Sequence, residues 1–287
     1  MNDAPVLAID LGGTKIMVAL VRDGNVLDRH VFATPREGGA AAWCDAIAEA
    51  AARWQGQYAH AGAAVTGGIR HGRWFALNPE TLPVPQGFDL AGTLEHRLGM
   101  PVHCANDAQA AAWGEYKRGA GQGRDMAFIT ISTGIGGGLV LGGQLIEGVS
   151  GLAGHIGLIP TPSEGGETAV ENLTSGRWIA RAAAGRGEDA RAVFAAAEAG
   201  QDWAVEIVSA SLERAGQIIR SLQWIIDPEI IVIGGGIGMS PLYFKGLASR
   251  LEKRHATTLL PAMLGAEAGI VGAAELALVS QFRKDRS

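Results

Sequence analysis

Residues 5–33 read PVLAIDLGGTKIMVALVRDGNVLDRHVFA, and this stretch decides the class of fold. An apolar run over Pro5–Asp10 stops at two glycines, a second run covers Ile16–Val21, and Val26–Phe32 alternates between apolar and polar residues. Short runs of this kind, separated by glycine-containing turns, are typical of β-strands. The sequence therefore predicts a three-stranded antiparallel meander with a glycine hairpin at its first turn.

The rest of the first lobe alternates between helical and strand patterns. In an alanine-rich segment the apolar residues recur with a 3.6-residue period, which is typical of a helix that faces a core. Short apolar runs between the helical segments indicate buried strands. The predicted elements are a helix over Ala40–Trp54, a strand over Ala61–Val65, a helix over Leu90–Leu98, a strand over Val102–Ala105 and a helix over Ala108–Tyr116.

The same order of elements then starts again. Two units of one architecture predict an α/β protein of two lobes with a cleft between them, and we place the lobes at residues 1–108 and 109–268. The predicted elements of the second unit are strands over Met126–Ser132 and Leu139–Leu141 with a glycine turn at Gly134–Gly138 between them, a possible strand over Gln144–Glu147, helices over Thr174–Ala184, Asp189–Ala199 and Trp203–Ile226, a strand over Ile230–Ile233, and helices over Pro241–Arg254 and Gly269–Phe282.

Composition and charge narrow the class of protein. The 287 residues are 47% hydrophobic and 18% charged, as in globular proteins. The net charge of −5 argues against nucleic acid as the main partner, and no apolar run is long enough to cross a membrane. No secretory signal is visible, and Cys44 and Cys104 have no motif spacing, so we expect a cytoplasmic protein with reduced thiols.

Three glycine-rich turns, at Asp10–Lys15, Ser132–Gly138 and Gly234–Gly236, each follow a predicted strand. Glycine lets the backbone approach a phosphate closely and present N–H groups to it. Together the turns predict a nucleotide site, although an ordinary tight hairpin explains the first turn equally well. Neither a P-loop lysine motif nor a Rossmann fingerprint is present. The residues predicted to bind ATP are Asp10, which would orient a Mg²⁺-bound water, and Gly12, Gly13, Thr14, Lys15, Thr133, Gly134, Gly136, Gly137, Gly138 and Gly235.

Asn106 and Asp107 follow a predicted strand and open a predicted helix. Either residue could be the helix N-cap, a role that stabilises a helix by roughly 1 kcal/mol. Their position at the end of the first lobe puts them at the cleft, where a carboxylate can accept a hydroxyl proton during phosphoryl transfer. We therefore predict that Asp107 is the catalytic base and that Asn106 binds neighbouring hydroxyl groups.

These motifs together resemble the ROK family of sugar kinases, part of the hexokinase–actin superfamily. Ala8–Lys15 is similar to the family's first phosphate loop, Thr130–Gly138 to its second, and Asn106–Asp107 to the pair that carries its base. The resemblance runs over essentially the whole chain. It implies a two-lobed actin/hexokinase-like (ribonuclease H-like) fold, in which the helix over residues 269–287 packs back on the first lobe. It also implies ATP and Mg²⁺, and we expect a homodimer.

Three stretches resemble the family members that phosphorylate N-acetylmannosamine, namely Ala76–Pro79, Asn106–Trp113 and Gly151–Gly157. His155 stands where most of the family has Glu. A neutral imidazole can both donate and accept a hydrogen bond, which suits a site that must recognise an acetamido group. The sugar-binding residues that the resemblance implies are Asn78, Asn106, Asp107, His155 and Glu171.

The family's zinc motif is missing from this sequence. The segment Pro160–Val170 is shorter than the family's zinc loop and lacks cysteine, and Leu158 stands where the family has a zinc-binding His. Since structural zinc needs four ligands, we predict no structural zinc. We expect Leu158 and Ile159 to pack apolar surface in its place.

The predicted reaction is transfer of the γ-phosphoryl group of MgATP to the 6-hydroxyl of N-acetylmannosamine. One alternative is a kinase of another hexose, such as glucose or N-acetylglucosamine. Another is a sugar-binding regulator without catalysis. A repressor would need an N-terminal helix-turn-helix of some tens of residues, and the first phosphate loop already begins at Asp10.

Overall fold

The computed structural model describes residues 4–77, 84–187 and 189–284. The strands described before residue 107 are β1 Val6–Leu11, β2 Lys15–Arg22, β3 Asn25–Ala33, β4 His60–Val65, β5 Gly68–Arg70, β6 Arg73–Phe75, β7 Phe88–Asp89 and β8 Val102–Asn106. Those after it are β9 Met126–Ile131, β10 Ile135–Leu141, β11 Gln144–Leu145, β12 Pro160–Ser163, β13 Gly166–Ala169, β14 Ile230–Gly234 and β15 Thr258–Pro261. The helices are α1 Gly39–Ala51, α2 Leu90–Leu98, α3 Asp107–Arg118, α4 Gly176–Ala182, α5 Ala190–Glu198, α6 Asp202–Ile226, α7 Pro241–Ala248 and α8 Ala268–Lys284.

Each half of the chain is organised around a five-stranded sheet. The first sheet has the order β3-β2-β1-β4-β8, and the second has the order β11-β10-β9-β14-β15. In both sheets an antiparallel meander is followed by two strands that run parallel to its first strand. The predicted meander and the repetition of one architecture are confirmed, and the chain has the predicted two-lobed actin-like fold.

Local sequence signals explain where the helices begin and end. Asp89 precedes α2 and its carboxylate accepts a hydrogen bond from the Gly92 N–H, while Gly99 ends the helix in a left-handed conformation with φ of 71°. Ser240 caps α7 by accepting from the Tyr243 N–H, and Pro241 occupies the first turn. These are the residue types that stabilise helix ends, because they satisfy N–H groups or adopt positive φ without strain.

Helix α8 joins the end of the chain to the first sheet. Ile270, Val271 and Ala274 are buried against Val6 and Ala8 of β1. The same helix crosses α3, which lies against β9 and β10 of the second sheet. The two helices α3 and α8 therefore connect the two sheets. Within the described parts of the chain, no helix combines the length and the apolar character needed to span a bilayer.

Several predicted boundaries are wrong. The glycine turn predicted at Gly134–Gly138 ends early, because residues 135–138 belong to β10 and pair with β9. The helix predicted over Pro241–Arg254 ends at Ala248. The small sheet β5-β6-β7, the hairpin β12-β13 and strand β15 were not predicted, since their two to four residues are too short to show a clear pattern.

Candidate active site

The parallel strands of the first sheet bring three polar side chains to one edge. Strands β1, β4 and β8 are in register, so that Leu11 pairs with Val65 and Val65 pairs with Asn106. Asp10 lies at the end of β1, Thr66 directly follows β4 and Asp107 directly follows β8. The carboxyl ends of parallel strands meet at one edge of an α/β sheet, which is where such folds place their ligands.

Hydrogen bonds hold the Asp107 carboxylate on both oxygens. Oδ1 accepts from the Ala108 N–H at 2.8 Å and from Nδ2 of Asn106 at 2.9 Å. Oδ2 accepts from Oγ1 of Thr66 at 3.1 Å. The Asp107 side chain is half-buried at the start of α3, where the positive end of the helix dipole also favours a carboxylate.

Asn106 is the N-cap of α3 and is saturated with hydrogen bonds. Its Oδ1 accepts from the N–H groups of Ala108 and Gln109, and Nδ2 donates to the Gly67 carbonyl and to Asp107. An amide has two donor hydrogens and two acceptor lone pairs, so all four are in use. The structure thus gives Asn106 a capping and positioning role, and its predicted contact with a sugar hydroxyl would require one of these bonds to be exchanged.

Two carboxylates at this edge of the sheet, Asp10 and Asp107, influence each other electrostatically. Burial raises the pKa of the Asp107 carboxyl above its ordinary value, against the opposing effect of its hydrogen bonds and of His155. Burial, followed by repulsion from Asp107, raises the pKa of Asp10 to about 6, while Lys15 acts in the opposite direction. Perturbed acids of this kind are typical of functional sites, because sites for catalysis bring like charges into partly buried positions.

The first glycine hairpin is open to solvent beside Asp10. The Gly12 N–H donates to the Lys15 carbonyl, and Thr34 fixes the loop through its N–H to Thr14 and its hydroxyl to Gly12. Gly13, Thr14 and Lys15 are exposed. The loop can therefore present backbone and a cation to a phosphate group.

The second and third glycine turns lie next to each other at the corresponding edge of the second sheet. Ser132 and Thr133 are exposed between β9 and β10, with Gly134 completing the turn. The Ile131 carbonyl accepts from the N–H groups of Ile237 and Gly238. A Cβ on Gly235 would lie only 2.3 Å from the same carbonyl, and φ of 81° also requires glycine there. These two turns form one surface at the ends of β9 and β14.

Glycines 136–138 serve packing inside β10. A Cβ on Gly136 or Gly138 would lie within 2.9 Å of Ala108 or Ala112 of α3, and a Cβ on Gly137 would meet the Gly154 carbonyl at 2.8 Å. The strand is thus held between α3 and the loop over residues 151–157. Gly137 and Gly138 are buried, and all three glycines lie in β10, so the predicted turn does not extend over them. Their predicted contact with ATP stays a prediction.

His155 approaches the Asp107 carboxylate from the second lobe. Its two ring nitrogens are buried, and neither makes a hydrogen bond of good geometry within the described part of the chain. Burial lowers the pKa of His155, opposed by the neighbouring carbonyl groups and by Asp107. The buried side chain of Gln109 holds the loop before His155 by donating to the carbonyls of Gly151 and Ala153. A neutral imidazole with unused polar atoms is suited to bind a polar ligand.

Glu171 contacts the second glycine turn in this structure. Its Oε2 accepts from the Ile135 N–H at 3.2 Å, and its Oε1 lies 3.6 Å from the Arg177 guanidinium. A Cβ on Gly134 would lie 2.9 Å from the same carboxylate. Glu171 therefore orders the turn that carries Thr133. Its sugar contact stays a prediction, and Asn78 lies outside the described residues.

The expectation that Leu158 and Ile159 are buried at the lost zinc position is wrong. Their exposed fractions are 41% and 42%. The segment is ordered instead by the hairpin β12-β13, and the Val170 N–H donates to the Ile159 carbonyl. Backbone pairing can close a short loop without burying apolar side chains. In the described ranges, no group of three or more His, Cys, Asp or Glu side chains could hold a metal ion.

Two residues at the site were not predicted as functional. Thr66 follows a predicted strand and is followed by two glycines, and this signal at a strand end could have identified it. Gln109 lies two residues beyond the predicted base, but no sequence pattern shows that its side chain reaches a loop 42 residues away.

Comparison with known proteins shows the family to which the chain belongs. The fold and site define the class of two-lobed, actin-like proteins. Residues 6–280 match the ROK family, and the chain belongs to that family.

Among its relatives, the bifunctional enzyme NanE/NanK of Brucella melitensis is 48% identical over 96% of this chain and 54% of its own length. The chain thus spans about half the length of that relative. The N-acetylmannosamine kinase of Shigella boydii is 41% identical over 94% of this chain and 97% of its own. A ROK family glucokinase from Streptomyces griseus, solved with glucose and AMPPNP, is 31% identical with a TM-score of 0.78, and the match covers 96% of this chain and 99% of the glucokinase.

Proposed function

We propose that this chain transfers the γ-phosphoryl group of MgATP to the 6-hydroxyl of N-acetylmannosamine. The observation that carries the proposal is the half-buried Asp107 carboxylate, held at the carboxyl edge of the first sheet beside Asp10 and facing His155. Relatives named N-acetylmannosamine kinase, similar over nearly their whole length, support the choice of sugar.

In this reaction Asp107 is the base. A new P–O bond forms between the γ-phosphorus and the sugar's O6, the bond to the β–γ bridging oxygen breaks, and ADP leaves with the electron pair. Asp107 takes the O6 proton late, because phosphoryl transfer passes through a loose transition state. A carboxylate whose pKa is raised is a stronger base for this step, provided that it stays ionised at the working pH.

The nucleotide is expected to lie between the glycine turns of the two lobes. The exposed Gly13, Thr14 and Lys15 would face phosphates from one side, and Thr133 and Gly134 from the other. Asp10 would orient a water bound to the Mg²⁺ that arrives with ATP. A related glucokinase was solved with AMPPNP, an analogue of ATP, which supports this choice of phosphoryl donor.

Sugar specificity is assigned to His155 together with Asn78 and Glu171. The unused ring nitrogens of His155 can donate to and accept from the acetamido group and a ring hydroxyl. A site built to bind an amide leaves buried polar atoms without hydrogen-bond partners when glucose is bound. The unpaired atoms make the binding free energy of glucose less favourable. We therefore propose that glucose is a markedly poorer acceptor.

A panel of sugars under one MgATP concentration tests this function. We expect the highest kcat/KM for N-acetylmannosamine, and lower values for N-acetylglucosamine, glucose, mannose and fructose. Equal use of glucose or N-acetylglucosamine would refute the choice of sugar while leaving a sugar kinase. Absence of turnover with every sugar would favour a sugar-binding regulator.

Zinc is not needed for the proposed site. The hairpin β12-β13 orders the segment that leads to Glu171 through backbone hydrogen bonds. Protein purified without a metal-affinity tag is expected to contain far less than one zinc per chain by elemental analysis, and chelation should leave the fold intact. Stoichiometric zinc would contradict the proposal.

A homodimer and a cytoplasmic location complete the proposal. The dimer is to be tested by sedimentation at several protein concentrations, and the location by fractionation of cells that express the native gene. A monomer at all concentrations would remove the dimer from the proposal without affecting the chemistry.

A further inference from the structure

Thr66 touches the proposed base from the neighbouring strand end. Its hydroxyl donates the 3.1 Å hydrogen bond to Oδ2 of Asp107. The backbone of Thr66 is fixed on both sides, because its N–H donates to the Leu11 carbonyl at 3.3 Å and its carbonyl accepts from Nε1 of Trp74 at 2.9 Å. Trp74 is fully buried. The hydroxyl is therefore presented from a rigid position.

The two carboxylate oxygens of Asp107 differ in the number of hydrogen bonds that they accept. Oδ1 already accepts two hydrogen bonds, from Asn106 and from Ala108. Within the described part of the chain, Oδ2 accepts only from Thr66. A carboxylate oxygen has lone pairs for about two such bonds. Oδ2 thus keeps one acceptor position for a substrate hydroxyl.

We infer that Thr66 is a positioning residue for phosphoryl transfer, which aims Oδ2 of Asp107 at the acceptor hydroxyl and stabilises its negative charge. The inference rests on the proposed function, because it assumes that Asp107 is the base. The hydroxyl bonds to the ionised form of the carboxyl, and it therefore opposes the rise in pKa that burial causes.

Replacing the hydroxyl by a methyl group tests this role. In Thr66→Val we expect kcat to fall about tenfold or more, since a hydrogen bond to a charged group is lost, while KM for the sugar stays near the wild-type value. The acidic limb of the kcat–pH profile should move to higher pH, because Asp107 loses a donor to its ionised form. Thr66→Ser keeps the hydroxyl and should restore both kcat and the profile.

Two further variants complete the design. Thr258→Val is the same change on an exposed threonine at the amino end of the strands of the second sheet, opposite the glycine turns, and should leave kcat and the profile unchanged. Thr66→Ala removes the hydroxyl without putting a second methyl group on Cβ. This variant replaces Thr66→Val if Thr66→Val fails to fold. Wild-type kcat and pH profile in either hydroxyl-free variant would overturn the inference, as would a Thr66→Ser enzyme as impaired as Thr66→Val.

A titration separates this inference from the proposed function. The Asp107 carboxyl is followed by carbon NMR, with its signal assigned by its loss in Asp107→Asn. The pKa of Asp107 should be higher in Thr66→Val than in the wild type. An unchanged pKa overturns the inference even if the protein phosphorylates no sugar. Missing turnover with a raised pKa refutes the proposed function and the role of Thr66 in phosphoryl transfer, but it shows that Thr66 stabilises the negative charge of Asp107.

Discussion

At the residue scale, Asp107 occupies a position where hydrogen bonds favour the ionised carboxylate and burial disfavours it. The start of α3 and three hydrogen-bond donors stabilise its charge, while burial opposes it. An asparagine amide at this position has almost the same shape as the carboxylate, but it cannot accept a proton from a sugar hydroxyl. This difference allows the catalytic role to be separated from the structural one.

We expect Asp107→Asn to fold normally and to lose kcat by about 100-fold or more, because the base is removed. The N-cap of α3 is Asn106 and remains in place. The measurement is steady-state turnover with N-acetylmannosamine, with circular dichroism and thermal unfolding as controls. Retention of more than about a tenth of the wild-type kcat would mean that Asp107 only stabilises the helix start, since loss of a general base costs more than this.

Asp10 should destabilise the unliganded protein at neutral pH. Its folded pKa of about 6 lies above the ordinary value of 3.8 for an aspartate, so the folded state holds the proton more tightly than the unfolded state. Its contribution is therefore unfavourable once the pH rises above the unfolded pKa, and the full cost is reached above about pH 6. Asp10→Asn should raise the free energy of unfolding at pH 8 by on the order of 2 kcal/mol and less at pH 5.

Urea unfolding of wild type and Asp10→Asn at the two pH values measures this difference. A stability gain that is equal at pH 5 and pH 8 would contradict the assignment, because it could not arise from ionisation of Asp10. Turnover should fall in the same variant if Asp10 orients the Mg²⁺-bound water.

At the element scale, the contact between α3 and α8 depends on glycine. A Cβ on Gly272 would lie 1.7 Å from the Ala110 carbonyl, and one on Gly114 would lie 2.5 Å from the Ala268 carbonyl. Because the obstructing atoms are backbone, neither helix can relax by rotating a side chain. The two helices cross with their backbones in direct contact, and this contact joins the sheets of the two lobes.

Gly272→Ala is expected to lower the free energy of unfolding by about 3 kcal/mol or more, because overpacking must displace a helix. The matched control is Gly269→Ala in the same helix, where the nearest atom to the new Cβ would be 3.9 Å away. That change should be neutral or stabilise by up to about 1 kcal/mol, since alanine favours a helix. Similar effects of the two substitutions in urea unfolding would disprove close packing as the reason for glycine at position 272.

Elements of this fold differ in how well the sequence predicts them. The meander of residues 5–33 and the strand over Val102–Ala105 are strongly patterned, and their prediction is confirmed, although the strand extends to Asn106 in the structure. The glycine pattern at Gly136–Gly138 wrongly predicts a turn, because glycine serves close packing as well as turns, and only the position of α3 distinguishes the two. Contacts between distant segments, such as Gln109 with the loop at Gly151, leave no local pattern.

At the scale of the whole molecule, the proposed site draws on both lobes. Asp10 lies in β1 and Asp107 directly follows β8 of the first sheet, while His155 and the turn at Thr133 come from the second unit. Ligands that contact both lobes should therefore hold them together. Any compound that binds only the folded protein raises its stability, by about 2.7 kcal/mol at 100 times its Kd.

Thermal unfolding should detect this effect. With N-acetylmannosamine at about 100 times its Kd, we expect Tm to rise by about 5 °C. AMPPNP with Mg²⁺ should raise Tm further. Glucose at the same concentration should give a smaller rise, because the proposed sugar site leaves polar groups unpaired with it. A larger rise with glucose would contradict the proposed specificity.

The burial of α3 has a consequence for how this sequence can change over generations. Every residue from Ala108 to Glu115 is buried, and the helix touches both sheets as well as α8. A substitution there meets a neighbour on every side, so compensating changes would have to arise together in separate segments. Lys117 and Arg118 at the end of α3 are exposed, so most substitutions there meet no packed neighbour. Lineages that diverge from this one should therefore accumulate differences more slowly in these eight positions than in any surface helix of the chain.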